Sequence, residues 1–314
     1  MHNQQHSVPG SIMITVDFED WFQVENLRHS FPHEKWESCE LRIERNAYKL
    51  LELFDLFGIQ ATFFVLGWVA KRRKGLIAKI ADMGHEIASH GYYHRICHDL
   101  SVSELRKDLE MSREVLADII GRAPLGYRAP NFSITEELVG LLQELNFVYD
   151  SSYNNFTLNK RHGRADGLKV TPQGCLAFAN GVKELPVSNL DVAGKTIPWA
   201  GGGYFRFWPI HLFELGVSRI LQSQGHYVFY CHPWEVDPAQ PRQARGIGTL
   251  NRFRHYLNLD KTLKKLRHFF ASFHENNFMS CSQFLKVDRY ESMGIEKTSA
   301  QYVPVQPKIR VNAV

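Results

Sequence analysis

Three carboxylates crowd one short stretch of the chain, Asp17-Phe18-Glu19-Asp20, and two imidazoles stand four residues apart in Ser89-His90-Gly91-Tyr92-Tyr93-His94. Carboxylates held this close repel one another, and a bound cation relieves the repulsion. Two neutral imidazoles with one carboxylate form a common zinc set that leaves a position open for water. If the chain turns into a helix after Ser89, the four-residue spacing puts His90 and His94 on one side. By itself that spacing more often marks two structural histidines, and it is the acidic cluster that points to one divalent ion, Zn²⁺. Such an ion polarises a carbonyl and lowers the pKa of bound water, which is hydrolytic chemistry.

The other candidates also follow apolar runs: Arg128 after Leu125-Gly126-Tyr127, Asp150 after Phe147-Val148-Tyr149, and His232 after Tyr227-Val228-Phe229-Tyr230-Cys231. One polar residue at a strand end means little, but in parallel α/β folds the C-terminal strand ends share a face. Strand positions 11–16, 61–66, 86–89 and 227–231 alternate with helical periodicity over 43–57, 68–83, 209–224 and 260–273. Ser101 with Glu104, and Ser133 with Glu136, read as capping boxes that open two further helices. His85 precedes its strand and reads as structural. The stretch 153–208 is rich in Gly, Asn and Pro and reads as long loops with short strands that shape a substrate surface. An α/β fold with a parallel sheet follows, either open or closed into a barrel.

Composition narrows the function classes. Apolar residues make up 44% of 314, enough for an extensive core, and the excess of basic over acidic residues is only +4, too small to indicate nucleic acid. The five cysteines are scattered and odd in number, so they form neither a disulfide framework nor a CxxC metal site. No signal-peptide pattern and no long apolar run is present, so a cytoplasmic protein is expected. Binding to a membrane-linked substrate or partner stays open.

The segments Thr15-Val16-Asp17-Phe18-Glu19-Asp20-Trp21-Phe22, Ser89 to His94, Tyr127-Arg128-Ala129-Pro130, Tyr149-Asp150-Ser151-Ser152 and Cys231-His232-Pro233-Trp234 occur in this order. In that order they resemble the motifs of the polysaccharide deacetylases of carbohydrate esterase family 4, the NodB homology domain. Gly201 to Arg206 and Arg252 to Tyr256 resemble the C-terminal extension of the branch encoded in exopolysaccharide loci with exosortase and PEP-CTERM sorting. The resemblance covers about residues 11–281, leaving 282–314 as a tail. It implies a distorted (β/α)7 barrel, Asp17 as catalytic base, His90 and His94 as metal ligands, and His232 as general acid. It also implies Arg128 as the group orienting the base and Asp150 as the carboxylate of the fourth motif.

Many members carry two adjacent aspartates and then glycine, whereas here Asp17-Phe18-Glu19-Asp20 leaves the carboxylate ligand open between Glu19 and Asp20. Period-two strand geometry puts Asp17 and Glu19 on one side and favours Glu19. The implied reaction removes acetyl groups from the nitrogen of amino sugars in an N-acetylated glycan, or in a lipid-linked or nucleotide-linked precursor. Trp199, Tyr204 and Trp234 are candidates for the substrate cleft, since sugar faces stack on aromatic rings, and Arg206 is a candidate to engage an acidic or phosphorylated part of the glycan. A hydrolase of small allantoin-type amides and an inactive glycan-binding protein are the competing expectations.

Overall fold

The computed structural model describes residues 8–156, 162–164, 166–170, 176–243 and 247–287. Its first strand, β1 (Ser11–Phe18), is buried almost throughout and alternates. Ile12, Ile14, Val16 and Phe18 pack into the large cluster beneath the helices, whereas Met13 joins a separate cluster with Phe64, Ala88, Tyr149 and Val228. Period-two alternation therefore sorts β1 into an outward apolar row and an inward row, Met13, Thr15 and Asp17.

Six more strands of the main sheet order run parallel to β1: β2 (Thr62–Val65), β3 (Glu86–Ser89), β4 (Gly126–Tyr127), β5 (Tyr149–Asp150), β8 (Lys183–Glu184) and β11 (His226–Cys231). Off that order, the short β12 (Asn277–Phe278) also pairs parallel with the start of β1. Their order is β11-β1-β2-β3-β4-β5-β8, and β6 (Lys169–Val170) and β7 (Leu176–Ala177) extend the sheet beyond β8 as antiparallel strands. A two-stranded ribbon of β9 (Asn189–Val192) and β10 (Lys195–Pro198) stands apart. The α/β, barrel-type architecture with seven parallel strands is thus as expected. The ladder itself stays open between β8 and β11, where Val228 N donates to Ser188 Oγ at 2.9 Å.

Crossover helices cover the outside: α1 (Ile43–Leu56), α2 (Gly67–Arg72), α3 (Lys74–Asp82), α4 (Val102–Ile120), α5 (Glu136–Glu144), α6 (Gly202–Phe207) and α7 (Ile210–Gln224). Two sequence expectations need correction here. The helix expected over 68–83 is broken at Arg73, whose φ and ψ of −129° and 45° are not helical. Ser133 does not cap α5; Thr135 does, accepting from Leu138 N, while Ser133 accepts from Cys97 N and donates to Pro130 O. The Ser101–Glu104 capping box is present at α4.

After β11 come α8 (Thr249–Tyr256), α9 (Leu259–Ser272), β12 (Asn277–Phe278) and α10 (Cys281–Leu285). α10 lies against the N-terminal ends of the strands, with Cys281 N on Thr62 Oγ1 at 2.9 Å and Ser282 N on Glu86 Oε2 at 3.0 Å. The boundary expected after residue 281 therefore falls within a packed helix, and 288–314 of the expected tail lie outside the described residues. No helix among the described residues is long and apolar enough to cross a membrane. His85 has the structural place expected of it, its Nδ1 accepting from Ala61 N at 3.1 Å.

Candidate active site

Asp17 is the last inward residue of β1, and two parallel neighbours fix what meets it. Arg128, at the end of β4, is fully buried inside the sheet. Its NH1 donates to Asp17 Oδ1 and to Thr15 Oγ1, both at 2.7 Å. Its Nε and NH2 donate to Ser151 O and Ser151 Oγ at 3.0 and 2.8 Å, and the ring of Phe64 lies beneath it at 4.1 Å. A guanidinium held on so many sides cannot swing away, so the carboxylate it holds is fixed as well. Burial opposes ionisation of Asp17, but Arg128, His90 and His232 outweigh it and hold the carboxyl below its ordinary range.

Past β1 the chain turns, Glu19 N donating to Asp17 O at 3.0 Å, and Glu19 and Asp20 part company. Both oxygens of Asp20 are taken by backbone: Oδ1 by Trp21 N, Oδ2 by Arg42 N and Ile43 N at 2.7 and 2.9 Å. Asp20 thus ties the start of α1 to the end of β1 and faces away from the histidines' cavity. Glu19 points inward. Its Oε2 lies 2.9 Å from His94 Nε2, and its Oε1 accepts from Trp234 Nε1 at 3.2 Å and lies 3.6 Å from His232 Nε2. Burial raises the Glu19 carboxyl, yet the surrounding histidines, His94 first, bring it down to about 2.

His90 and His94 meet with ring centroids 5.2 Å apart, but not on a helix. The chain after β3 is an irregular loop in which Gly91 and His94 take φ of +75° and +53°. Asp108, reaching in from α4, holds the loop by accepting from Tyr92 N and Tyr93 N at 2.7 and 3.2 Å. A Cβ at position 91 would stand 2.7 Å from Asp108 Oδ2, so glycine is required there for approach as well as for φ. His90 Nδ1 bonds to Arg128 O at 2.7 Å, which makes Nδ1 the protonated nitrogen and leaves the Nε2 lone pair free. Burial keeps this imidazole neutral, lowering it to about 4.

His232, just past β11, has Nε2 3.9 Å from Asp17 Oδ2 and Nδ1 2.7 Å from Glu235 Oε1. Burial disfavours its charged form, but the Glu235 hydrogen bond and the charges of Glu19 and Asp17 push it up to about 9. Glu235 is the residue that the sequence reading missed. Asp150, the carboxylate of the fourth motif, does not meet His232; it accepts from Ser152 Oγ at 2.5 Å and shares a hydrogen bond with Glu184. Glu235 lies three residues after His232, inside the turn Pro233–Val236, and that spacing was the available signal.

The substrate candidates divide. Tyr204 and Trp234 line the cavity above the site, whose volume is about 560 Å³. Trp234 is sandwiched between His232 and His255, with centroids at 5.1 and 4.4 Å. Arg206 borders the cavity, but its guanidinium is spent inward on His255 O, Leu257 O and, at 3.4 Å, Glu235 Oε2. Its expected contact with an acidic glycan is corrected on that ground. Trp199 is a core residue, its Nε1 on Phe213 O at 2.9 Å and its ring stacked on Phe213 and Trp208. Asn131, at φ +54°, also lines the cavity, and its Nδ2 is buried without a hydrogen-bond partner.

The parallel strands of an α/β barrel-type fold thus carry a buried Asp–Arg pair and a histidine–carboxylate cluster at their C-terminal ends. Residues 35–149 match the Polysaccharide deacetylase family model, and residues 152–286 match a domain of unknown function, DUF3473. The first of these holds His90, His94 and Arg128, whereas Asp17, Glu19 and His232 lie outside it. The chain is 33% identical to the peptidoglycan deacetylase of Helicobacter pylori over 35% of this chain and 38% of that one. It is 31% identical to the peptidoglycan-N-acetylglucosamine deacetylase of Bacillus cereus over 32% of this chain and 36% of that one. The chain therefore spans little more than a third of the length of these relatives. A solved Mycobacterium smegmatis structure, assigned provisionally as a polysaccharide deacetylase, covers 97% of this chain and 98% of its own at a TM-score of 0.59 and 20% identity. A solved allantoinase covers 92% of both at 0.55 and 14% identity, and these two likenesses speak for the fold alone. Family model and relatives alike match part of this chain to polysaccharide deacetylases.

Proposed function

We propose that the chain is a metal-dependent hydrolase that removes N-acetyl groups from amino sugars of an exopolysaccharide or its precursor. The observation that carries this reading is one cavity wall bearing Asp17 fixed by Arg128, His232 fixed by Glu235, and the Glu19, His90 and His94 cluster between them. The donors suit a divalent cation. Glu19 Oε2 is buried with His94 Nε2, itself a ligand-type nitrogen, as its close neighbour at 2.9 Å, and His90 presents Nε2 with its other nitrogen anchored on a carbonyl. Imidazole and carboxylate together are a zinc set, and Glu19, His90 and His94 would hold the ion, with Asp20 excluded because its oxygens are occupied. A cation there supplies polarisation of the acetyl carbonyl and a lowered pKa for the attacking water.

The chain's own groups do the proton work. Asp17, ionised and locked by Arg128, accepts the proton of the attacking water through the oxygen that Arg128 leaves free. Asn131, held beside the site by its left-handed backbone, offers an amide donor toward the developing oxyanion. His232, protonated near neutrality by virtue of Glu235, gives its proton to the departing sugar nitrogen, without which an amine cannot leave. Tyr204 and Trp234 supply faces against which a sugar ring packs. The branch resemblance supports an exopolysaccharide substrate handled in the cytoplasm beside membrane-bound assembly proteins, which cell fractionation tests. Enzymatic assay of acetate released from N-acetylated amino-sugar oligomers, with the protein chelated and then reloaded with Zn²⁺, tests the reaction. Release that is lost on chelation and regained with metal is expected. Release indifferent to chelation would overturn the metal dependence, and hydrolysis of allantoin-type amides alone would overturn the substrate class.

A further inference from the structure

Away from the cavity, α7 and α9 pack side by side, and their outer surfaces carry a second convergence of ligand-type side chains. His211 and Glu214 are three apart on α7, hence on one face. His211 Nδ1 lies 3.3 Å from Glu214 Oε2, and His268 Nε2 of α9 lies 3.4 Å from Glu214 Oε1. One ligand atom from each of the three falls within 4.8 Å of the others, and the two rings stand at 78°, crossed rather than stacked. We infer that His211, Glu214 and His268 form a second transition-metal site, taking Zn²⁺ or a similar ion, that clamps α7 to α9.

Three observations carry this. Each imidazole nitrogen stands 3.3–3.4 Å from one oxygen of Glu214, near the roughly 3.3 Å edge of a tetrahedron with bonds of about 2.0–2.1 Å, and all three ligand atoms lie within 4.8 Å of one another. Glu214 is buried, with a relative exposure of 9%, and its Oε1 makes no hydrogen bond, facing only His268 Nε2 at 3.4 Å, a costly state for a carboxylate unless that imidazole is protonated or a cation is shared between them. The nearby ammonium does not answer that need, because Lys265 Nζ is turned onto Phe205 O and Trp208 O. The side chain of His211 is 79% exposed, so an ion enters from solvent and water completes its coordination. Two imidazoles with one carboxylate favour Zn²⁺ over Mg²⁺ or Ca²⁺, which prefer all-oxygen sets.

The clamp has a place in the fold. α7 feeds β11 through Gly225, and β11 ends at His232; α9 packs against the turn that carries Trp234 and Glu235. Joining the two helices by a metal stiffens the elements behind the proposed acid without touching the cavity. Equilibrium dialysis of the full chain against Zn²⁺ tests this, beside the double variant His211→Ala/His268→Ala. The unaltered chain is expected to bind one equivalent more than the double variant, whatever the cavity itself holds. Added Zn²⁺ should raise its Tm by more than it raises that of the variant, and Mg²⁺ should not supply the extra equivalent. Both replaced side chains are substantially exposed, so the variant is expected to fold, and Glu214→Gln gives an independent loss of the same equivalent. Equal stoichiometry in the unaltered chain and the double variant would refute the site.

Discussion

A carboxylate that takes a proton from water needs one oxygen free, and Asp17 has its Oδ1 on Arg128 and its Oδ2 turned toward His232. Arg128→Lys would keep a positive charge but lose the fork that reaches Asp17, Thr15 and Ser151 together. The expected outcome is a kcat lower by roughly tenfold or more and a chain destabilised by about 1–3 kcal/mol, read by steady-state kinetics and urea unfolding. Glu235 belongs to the same scale. Glu235→Gln preserves the shape but not the charge that keeps His232 protonated, so kcat should fall while KM changes little. Glu235→Ala should fall further, and an equal rise in KM in both variants would mean that Glu235 only shapes the cavity. The convergence of Asp17, Glu19, His90, Arg128 and His232 was legible because each stands at or just beyond an apolar run and parallel strands bring such ends together, and His94 was drawn in by its spacing from His90. Glu235 and Asp108 were not, because their partners are chosen by the path of a turn and of a helix that no residue periodicity encodes.

At the scale of elements, the separation of Glu19 from Asp20 shows how a loop decides which carboxylate is chemical. The chain turns just after Asp17, yet it is Glu19 that enters the cavity and Asp20 that caps a helix beginning 23 residues later. Residue alternation favoured Glu19, but the capping duty of Asp20 is a long-range contact invisible in local sequence. Asp20→Ala should cost about 2–3 kcal/mol, since it strands three buried backbone N–H groups, and should leave stoichiometric metal in the cavity. Thermal unfolding with elemental analysis checks both; metal lost with the fold intact would return Asp20 to the ligand set. The His90–His94 pair teaches the converse lesson. Its convergence was anticipated from helical spacing, whereas a loop held by Asp108 and Gly91 achieves it, so the right neighbours were reached through the wrong local geometry.

For the molecule as a whole, the inside of the sheet is polar where the chain's competence lies and carries a pH signature. Asp150 and Glu184 are buried together, and burial raises both carboxyls, Glu184 the more strongly because Asp150 lies beside it. The folded chain therefore retains protons that the unfolded chain gives up above about pH 4. Their contribution to stability is full below that point and declines as the pH rises through the raised values. Asp150→Asn/Glu184→Gln removes this dependence, so its stability relative to the unaltered chain should improve by roughly 1–3 kcal/mol between pH 4 and pH 7, measured by denaturant unfolding. The strand–helix alternation followed from apolar periodicity, and the expectation of seven strands from the family resemblance. The gap in the ladder between β8 and β11 did not, because very short strands such as Gly126–Tyr127 carry no periodic signal.

The central claim, that this cavity hydrolyses an N-acetyl amide by proton transfer through Asp17 and His232, is tested most directly by acetate release at matched metal content. The unaltered chain, Asp17→Asn and His232→Ala are each loaded with Zn²⁺, their bound metal is quantified, and acetate is followed from an N-acetylated amino-sugar oligomer. Both variants should retain the metal and lose about 10²–10⁴-fold in kcat/KM. Near-normal release by either metal-loaded variant would contradict the account.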